Sequence, residues 1–435
     1  MPTALTLNPA ALAALTEEPL DWRFKSVPSE LWGLSPAEAA RRRPNLFTGG
    51  FVGPMVVLDA EALDHNLRTM ADFCAAHGVR LAPHGKTTMA PQLFARQAGH
   101  GAWAVTAATA GQLRVYRAFG VSRILLANQL VDPAALRWLA AELTGDPGFE
   151  FSCWADSVRA VELMTEALAA LTDAERPVDV LVELGADPGR TGARDDATAL
   201  AVAEAVRDSP VLRLAGVAGY EGALAHDAGE QAQERVTGYV RRMREFTVAL
   251  ADSGFFADAG QVIVTAGGSA YFDRVTAELT TSWPEGLPVV PVLRSGCYLT
   301  HDDGFYRGVS PLGEHPRISE VPPLRPALRA WAQVTSRPTA ELALLTLGKR
   351  DASFDEGLPE PQLFRRSGTT TPLAGHAVTA LNDQHAFVAL PPDSPLQVGD
   401  WVGLGLSHPC TVFDKWSLIP VVSGETVVDF VRTFF

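Results

Sequence analysis

Short apolar, β-branched runs alternate with longer amphipathic stretches from Met55 to about residue 295, and few folds satisfy that pattern. The runs are MVVLD, VRLAP, AWAVTA, RILLAN, FEFSCWA, VDVLVEL, LRLAGVAGY, QVIVTAGG and LPVVPVLR. Between them, residues 61–76, 109–118, 133–143, 157–171, 196–207 and 228–251 carry apolar side chains at three- and four-residue spacing, the mark of helices with one buried face. Eight or nine βα units with strands apolar throughout imply a parallel sheet covered on both faces. A (β/α)8 barrel fits that count best, with a long doubly wound sheet as the other arrangement. In a barrel the chemistry collects at the C-terminal ends of the strands.

Beyond residue 320 the period changes to two, in LRAWAQVTSR, ELALLTLG, HAVTALNDQHAFVALP, DWVGLGL, WSLIPVVS and ETVVDFVRTFF, which predicts a mainly antiparallel β domain. The expected fold is therefore α/β, with an N-terminal (β/α)8 barrel over 51–320 and a C-terminal β domain over 321–435. Residues 1–50 read as an extension packed on the main body, with a short helix near Ala10 to Leu15 and the basic run Arg41, Arg42, Arg43. Residues 351–372 follow neither period and read as a long loop, a feature that in compact domains is more often functional than idle.

Lys plus Arg number 36 against 50 Asp plus Glu, a net charge of −14, which is the wrong sign for binding a phosphate backbone. Nucleic acid is excluded as a partner. No stretch approaches the roughly 18 apolar residues of a membrane span, and the acidic N-terminus does not resemble a signal peptide, so the chain reads as cytoplasmic with no membrane association. The four cysteines, Cys74, Cys153, Cys297 and Cys410, are too scattered for a disulfide framework or a CxxC knuckle.

Only four of the 36 basic residues are lysines: Lys25, Lys86, Lys349 and Lys415. A chain that uses arginine this heavily has reason to keep a lysine where a deprotonated amine is needed. Lys86 lies in VRLAPHGKTT, just past a strand and inside a Pro-His-Gly turn, which suits an amine that attacks a carbonyl at the barrel mouth and anchors pyridoxal 5′-phosphate. A solvated loop lysine is the plain alternative. VTAGGSA, after a late strand, offers the N–H groups of Gly267 and Gly268 and the hydroxyl of Ser269 to a phosphate. Arg190 in ELGADPGRTG and Tyr220 in GYEG supply a cation and a flat phenol at the same mouth; LRSGCYLTHD adds Arg294, Tyr298, His301 and Asp302 as candidates.

In the β domain, GLSHPCT sets His408 and Cys410 two positions apart. In an extended strand such side chains share a face, so imidazole and thiolate would occupy neighbouring corners of a zinc tetrahedron. Nitrogen with sulfur favours zinc over oxygen-preferring cations. Two protein ligands leave coordination open, the arrangement of a catalytic rather than a structural metal.

PHGKT near the start of a βα barrel, a distal GGS and HPC in a C-terminal β domain together resemble the fold-type III pyridoxal-phosphate enzymes, which include D-serine dehydratase, D-threo-3-hydroxyaspartate dehydratase and D-threonine aldolase. RSGCY and HPCTxFDKW resemble the bacterial sequences called amino acid deaminase. The likeness covers residues 51–435. It implies an alanine-racemase-like barrel, a metal-bearing β domain and a homodimer. It further implies that Lys86 carries the cofactor, that Gly267, Gly268 and Ser269 hold its phosphate, that Arg190 and Tyr220 line it, and that His408 and Cys410 ligate a divalent metal, zinc first; His84 beside Lys86 and Tyr298 in RSGCY are further expected cofactor contacts. The HxC pair resembles the dehydratases, whereas the aldolases usually show HxD.

The expected activity is a lyase that dehydrates and deaminates a D-β-hydroxy amino acid to a 2-oxo acid and ammonia. An aldolase that breaks Cα–Cβ to give glycine and an aldehyde is the alternative. A non-catalytic pyridoxal-phosphate carrier needs no metal-bearing second domain, and a metal-free racemase leaves HPC without a use.

Overall fold

The structure is a computed structural model that describes residues 4–171, 176–257 and 259–435. Eight parallel strands run in chain order: Arg80–Leu81, Val105–Ala107, Arg123–Gln129, Glu150–Ala155, Val178–Leu184, Leu212–Gly219, Val262–Ala266 and Val289–Leu293. The last pairs with the first, Arg80 opposite Val292. The ring closes where His84 bridges Thr106 and the N–H groups of Trp103 and Thr106 donate to the carbonyls of Leu81 and Pro83 at 2.7 and 2.9 Å.

The inside of the ring is packed solid at its base. Trp103, Trp154, Leu125, Leu181, Ile263 and Val292 fill it against Ala82, Ala104, Ala215 and Ala218, large side chains facing small ones. Helices cover the outside, and five of them open on a side chain that accepts a backbone N–H of the first turn: Asp59, Thr109, Asp132, Ser157 and Asp195. Each such cap stabilises its helix by about 1 kcal/mol.

Met55–Asp59, which reads from sequence as the first strand of the barrel series, lies instead in the second sheet. It runs antiparallel to Leu328–Thr339, Met55 opposite Trp331, and parallel to Leu418–Ser423, Leu58 opposite Val421. Residues 55–58 are buried on both faces in this setting, as they would be in a barrel, so apolarity alone does not assign the strand. The consequence is mechanical: the chain leaves the second sheet through helix Ala60–His77 before entering the barrel, which ties the two bodies together.

That second sheet runs in the order Thr369–Pro372, Glu360–Arg366, Trp401–Gly405, Leu328–Thr339, Met55–Asp59, Leu418–Ser423, Thr426–Arg432, with three shorter strands branching from Leu328–Thr339. The N-terminal extension covers part of it: Leu20, Phe24, Val27, Leu31 and Leu46 pack on Met55, Val57, Trp331, Leu418 and Phe430. The stretch 351–372 is only partly a loop. Glu360–Arg366 and Thr369–Pro372 form a hairpin whose turn residues, Ser367 and Gly368, both have positive φ, the conformation of a two-residue primed turn. Its outer strand is wholly exposed, which removes the alternation that a reading by period depends on. Among the described residues no helix is long and apolar enough to cross a membrane.

Candidate active site

Two adjoining cavities, about 190 and 360 Å³, open at the C-terminal end of the barrel, and His84, Lys86, Arg190, Tyr220, Gly268 and Arg294 line both. Lys86 sits in a single helical turn, Gly85–Thr87, directly after the first strand. The turn is pressed against its neighbours: a Cβ on Gly85 would lie 2.5 Å from the Tyr116 hydroxyl and 2.8 Å from Val105 Cγ1. Gly85→Ala should therefore lower stability by about 1–3 kcal/mol through overpacking. It should also displace Lys86, so calorimetry should show a lower Tm together with weaker retention of cofactor; wild-type values for both would remove the steric argument.

The other lysines are engaged. Lys25 pairs with Asp351 at 3.2 Å, Lys415 with Asp414 at 3.2 Å, and Lys349 lies 5.5 Å from the Phe354 ring centre. Of the four lysines, all among the described residues, Lys86 alone has neither ion pair nor ring contact, and it lines both cavities. Beside it the His84 Nδ1 is buried with no hydrogen-bond partner. Burial first, then the cations Lys86, Arg294 and Arg190, hold that imidazole well below its ordinary pKa, so it is neutral.

The inner cavity ends on Trp154, Asn128 and Glu183. Glu183 accepts from Gln129 Nε2 at 2.6 Å and Thr191 Oγ1 at 3.1 Å, and burial raises its pKa. The Arg190 guanidinium lies 4.3 Å from the centre of the Tyr220 ring, a cation–π contact that presents both at the shared wall. Burial pushes the Tyr220 phenol up to about 12, which keeps it protonated. Arg294 is buried, donating to Thr265 Oγ1 at 2.7 Å and the Gly219 carbonyl at 2.6 Å.

Two sequence expectations need correction. Gly267 and Gly268 do not present free N–H groups: they donate to the carboxylate of Glu221 at 3.0 and 2.5 Å. Glu221 is fully buried and was not singled out from sequence, because its partners are 46 residues away in the chain. The loop does bind an anion there, but that anion belongs to the protein, which leaves Ser269 as the donor of the triplet facing the outer cavity. Tyr298 lines neither cavity. Its ring lies in the core and its hydroxyl accepts from Gln97 Nε2 at 3.2 Å.

The outer cavity is walled by Thr87, Cys297, Tyr306, Glu356, His408 and Cys410, among others. His408 and Cys410 do not share a strand face. The strand ends at Gly405, His408 has φ +48°, and Cys410 starts a short helix, so a turn rather than a pleat brings them together. Asp302 fixes that turn: Oδ2 accepts from the His408 N–H at 3.1 Å, while Oδ1 accepts from the N–H groups of Gly304, Tyr306 and Arg307. Burial raises the Asp302 pKa to about 6. His301 is also buried, which lowers its pKa to about 4.

Asp355, from the first part of the 351–372 stretch, lies 2.5 Å from His408 Nδ1 and accepts from Thr411 Oγ1 at 2.8 Å. The stretch is held in place by hydrogen bonds from Ser407 Oγ to the Glu356 carbonyl at 2.7 Å and from Ser353 Oγ to the Ser407 carbonyl. The hydrogen bond shared with Cys297 and the nearby imidazole hold the Cys410 thiol well below its usual range. Cys410 in turn pushes His408 up to about 9, with Asp355 adding to the effect. No three His, Cys, Asp or Glu side chains among the described residues are already arranged around a metal position. The donor set nonetheless suits one: a cysteine sulfur whose pKa is held down, and an imidazole whose far nitrogen is held by a carboxylate.

The chain matches the family "alanine racemase, N-terminal domain" over residues 58–281 and the family "putative serine dehydratase domain" over 327–422. It is 27% identical to D-threonine aldolase of Arthrobacter sp. over 86% of this chain and 90% of that one. D-threo-3-hydroxyaspartate dehydratase of Delftia sp. (strain HT23) is 30% identical over 39% of this chain and 43% of that one. The solved structure of D-threonine aldolase from Filomicrobium marinum superposes with a TM-score of 0.74 at 25% identity, covering 88% of this chain and 95% of that one.

Proposed function

This chain belongs to the alanine racemase N-terminal domain family, within the fold-type III pyridoxal-phosphate enzymes, and from that premise we propose a pyridoxal-phosphate- and zinc-dependent lyase that dehydrates and deaminates a D-β-hydroxy amino acid to a 2-oxo acid and ammonia. One observation carries the reading: the unpaired Lys86 and the His408–Cys410 pair, far apart in sequence and in different domains, border one continuous space. When bound, pyridoxal phosphate supplies an electron sink for the pair left at Cα and zinc a Lewis acid for the β-oxygen.

The chain's own residues do the rest. Lys86 takes the Cα proton. Arg190 on Tyr220 closes the side of the cavity, neutral His84 lies beside the lysine, and the hydroxyls of Ser269 and Tyr220 are donors for phosphate. His408 and Cys410 border the outer cavity with Lys86 and would hold the metal that acts on the β-oxygen. The net reaction needs no oxidant: water leaves from Cα–H and Cβ–OH, and water returns when the released enamine hydrolyses. Cytoplasmic residence and a homodimer belong to the same reading.

A second reading, aldol cleavage to glycine and an aldehyde, is favoured by the D-threonine aldolase likeness that spans most of both chains. Incubation with a panel of D- and L-β-hydroxy amino acids separates the two. Ammonia with a 2-oxo acid from the D-isomers is the expected result; stoichiometric glycine and aldehyde would promote the second reading.

A further inference from the structure

The third protein ligand of the metal is not apparent from the sequence, and the structure supplies a candidate that the HxC motif does not contain. Cys297, in the RSGCY segment at the end of the barrel, lies with its Sγ 3.7 Å from the Sγ of Cys410. Both sulfurs and His408 border the same outer cavity. We propose that Cys297 is a zinc ligand, so that the site is Cys297, Cys410 and His408 with a fourth position open to the β-oxygen of the substrate; this rests on the zinc-dependent reading above.

The separation of the sulfurs is the quantitative argument. Two thiolates bound to one zinc at about 2.3 Å, with tetrahedral angles, lie about 3.8 Å apart. A disulfide would bring them to about 2.05 Å. The pair is thus spaced as two corners of a zinc tetrahedron; the two thiol protons would leave to solvent as the ion binds, and His408 would have to turn onto it, since no three such side chains already converge among the described residues. Thr87 Oγ1 lies 3.5 Å from the Cys410 sulfur and 3.9 Å from the Cys297 sulfur, so the thiol pair touches the residue that follows Lys86 in the chain.

His408 supplies the third corner. Its Nδ1 is held by Asp355, the carboxylate–imidazole arrangement that orients a zinc-bound histidine, and Nε2 remains as the ligand. Three protein ligands and one open position is the usual form of a catalytic zinc centre. A site with two thiolates also discriminates sharply against magnesium and manganese. Cys297 is on the barrel and the other two ligands are on the β domain, so the ion would join the two bodies across the site.

The test uses zinc-loaded holoenzyme and does not depend on activity. Zinc X-ray absorption should show two sulfur neighbours at about 2.3 Å. In the cobalt(II)-substituted protein, Cys297→Ser and Cys410→Ser should each remove about half of the thiolate-to-cobalt charge-transfer intensity. Each should also weaken zinc, measured against a chromophoric chelator, by at least about tenfold, the smallest loss seen when only a supporting residue is removed. Retention of cofactor by the variants shows that they are folded; if Cys297→Ser does not fold, the wild-type absorption spectrum decides alone. One sulfur neighbour, or an unchanged cobalt spectrum in Cys297→Ser with the band lost in Cys410→Ser, overturns the assignment of Cys297 and leaves the zinc reading standing. A wild-type protein that binds neither zinc nor cobalt overturns both.

Discussion

Lys86→Ala should lower turnover by at least about a thousandfold, the scale of losing a positioned proton-transfer group, and should abolish covalent capture of the cofactor by borohydride. The expectation comes from what surrounds the four lysines. A nucleophilic amine must spend part of its time unprotonated, and an ion pair with a carboxylate opposes that. Lys25 and Lys415 are paired with Asp351 and Asp414, and Lys349 lies against a phenyl ring outside the cavities. Lys86 alone faces the space at the barrel mouth, flanked by a neutral histidine and the cations Arg190 and Arg294. Borohydride reduction followed by peptide mass spectrometry locates the modified residue. Capture on any other lysine, or undiminished capture in the variant, would falsify the role given to Lys86.

How far such a site can be read from sequence depends on whether each signal is local. Helix ends were legible because the caps are local: Asp59, Asp132, Ser157 and Asp195 each bond an N–H two or three residues on, and the expected helices agree with the observed ones within about two residues. Strand apolarity was legible but not strand address, since Met55–Asp59 is buried on both faces wherever it pairs. Within the site, Lys86 is marked by its rarity and its Pro-His-Gly turn, and His408 with Cys410 by their spacing. Glu221, Asp355 and Cys297 carry no such mark. Their partners lie 46, 53 and 113 residues away, and only the closed barrel and the turn at His408 bring them together. The HxC spacing suggested a shared strand face, and the structure has none: the positive φ at His408 makes a turn, and it is that turn that sets the two side chains at one cavity.

Removing the metal should stop dehydration while leaving the cofactor bound. The argument begins with the leaving group. Hydroxide departs from a β-carbon slowly near neutral pH unless charge on the oxygen is neutralised as the C–O bond breaks, and electrostatic stabilisation of that kind is the largest single contribution in many enzymes. Two groups close to the outer cavity are unsuited to protonate that oxygen. Asp302 is occupied by four backbone N–H groups, and the Tyr220 phenol is pushed up to about 12. His408 sits between the Cys410 sulfur and the Asp355 carboxylate, a donor set that would suit a bound cation. The fall on chelation should therefore be at least about a hundredfold, comparable to losing one oxyanion-stabilising group. Cofactor absorbance should persist, since the inner cavity is built from barrel residues and contains neither His408 nor Cys410. Zinc readdition should restore turnover, and magnesium should not, because a sulfur–nitrogen donor set suits the softer ion. Metal analysis alongside activity decides the matter: full dehydration by a verified metal-free sample would show that the β-oxygen leaves without a Lewis acid, and would require a proton donor for it among the residues of the outer cavity.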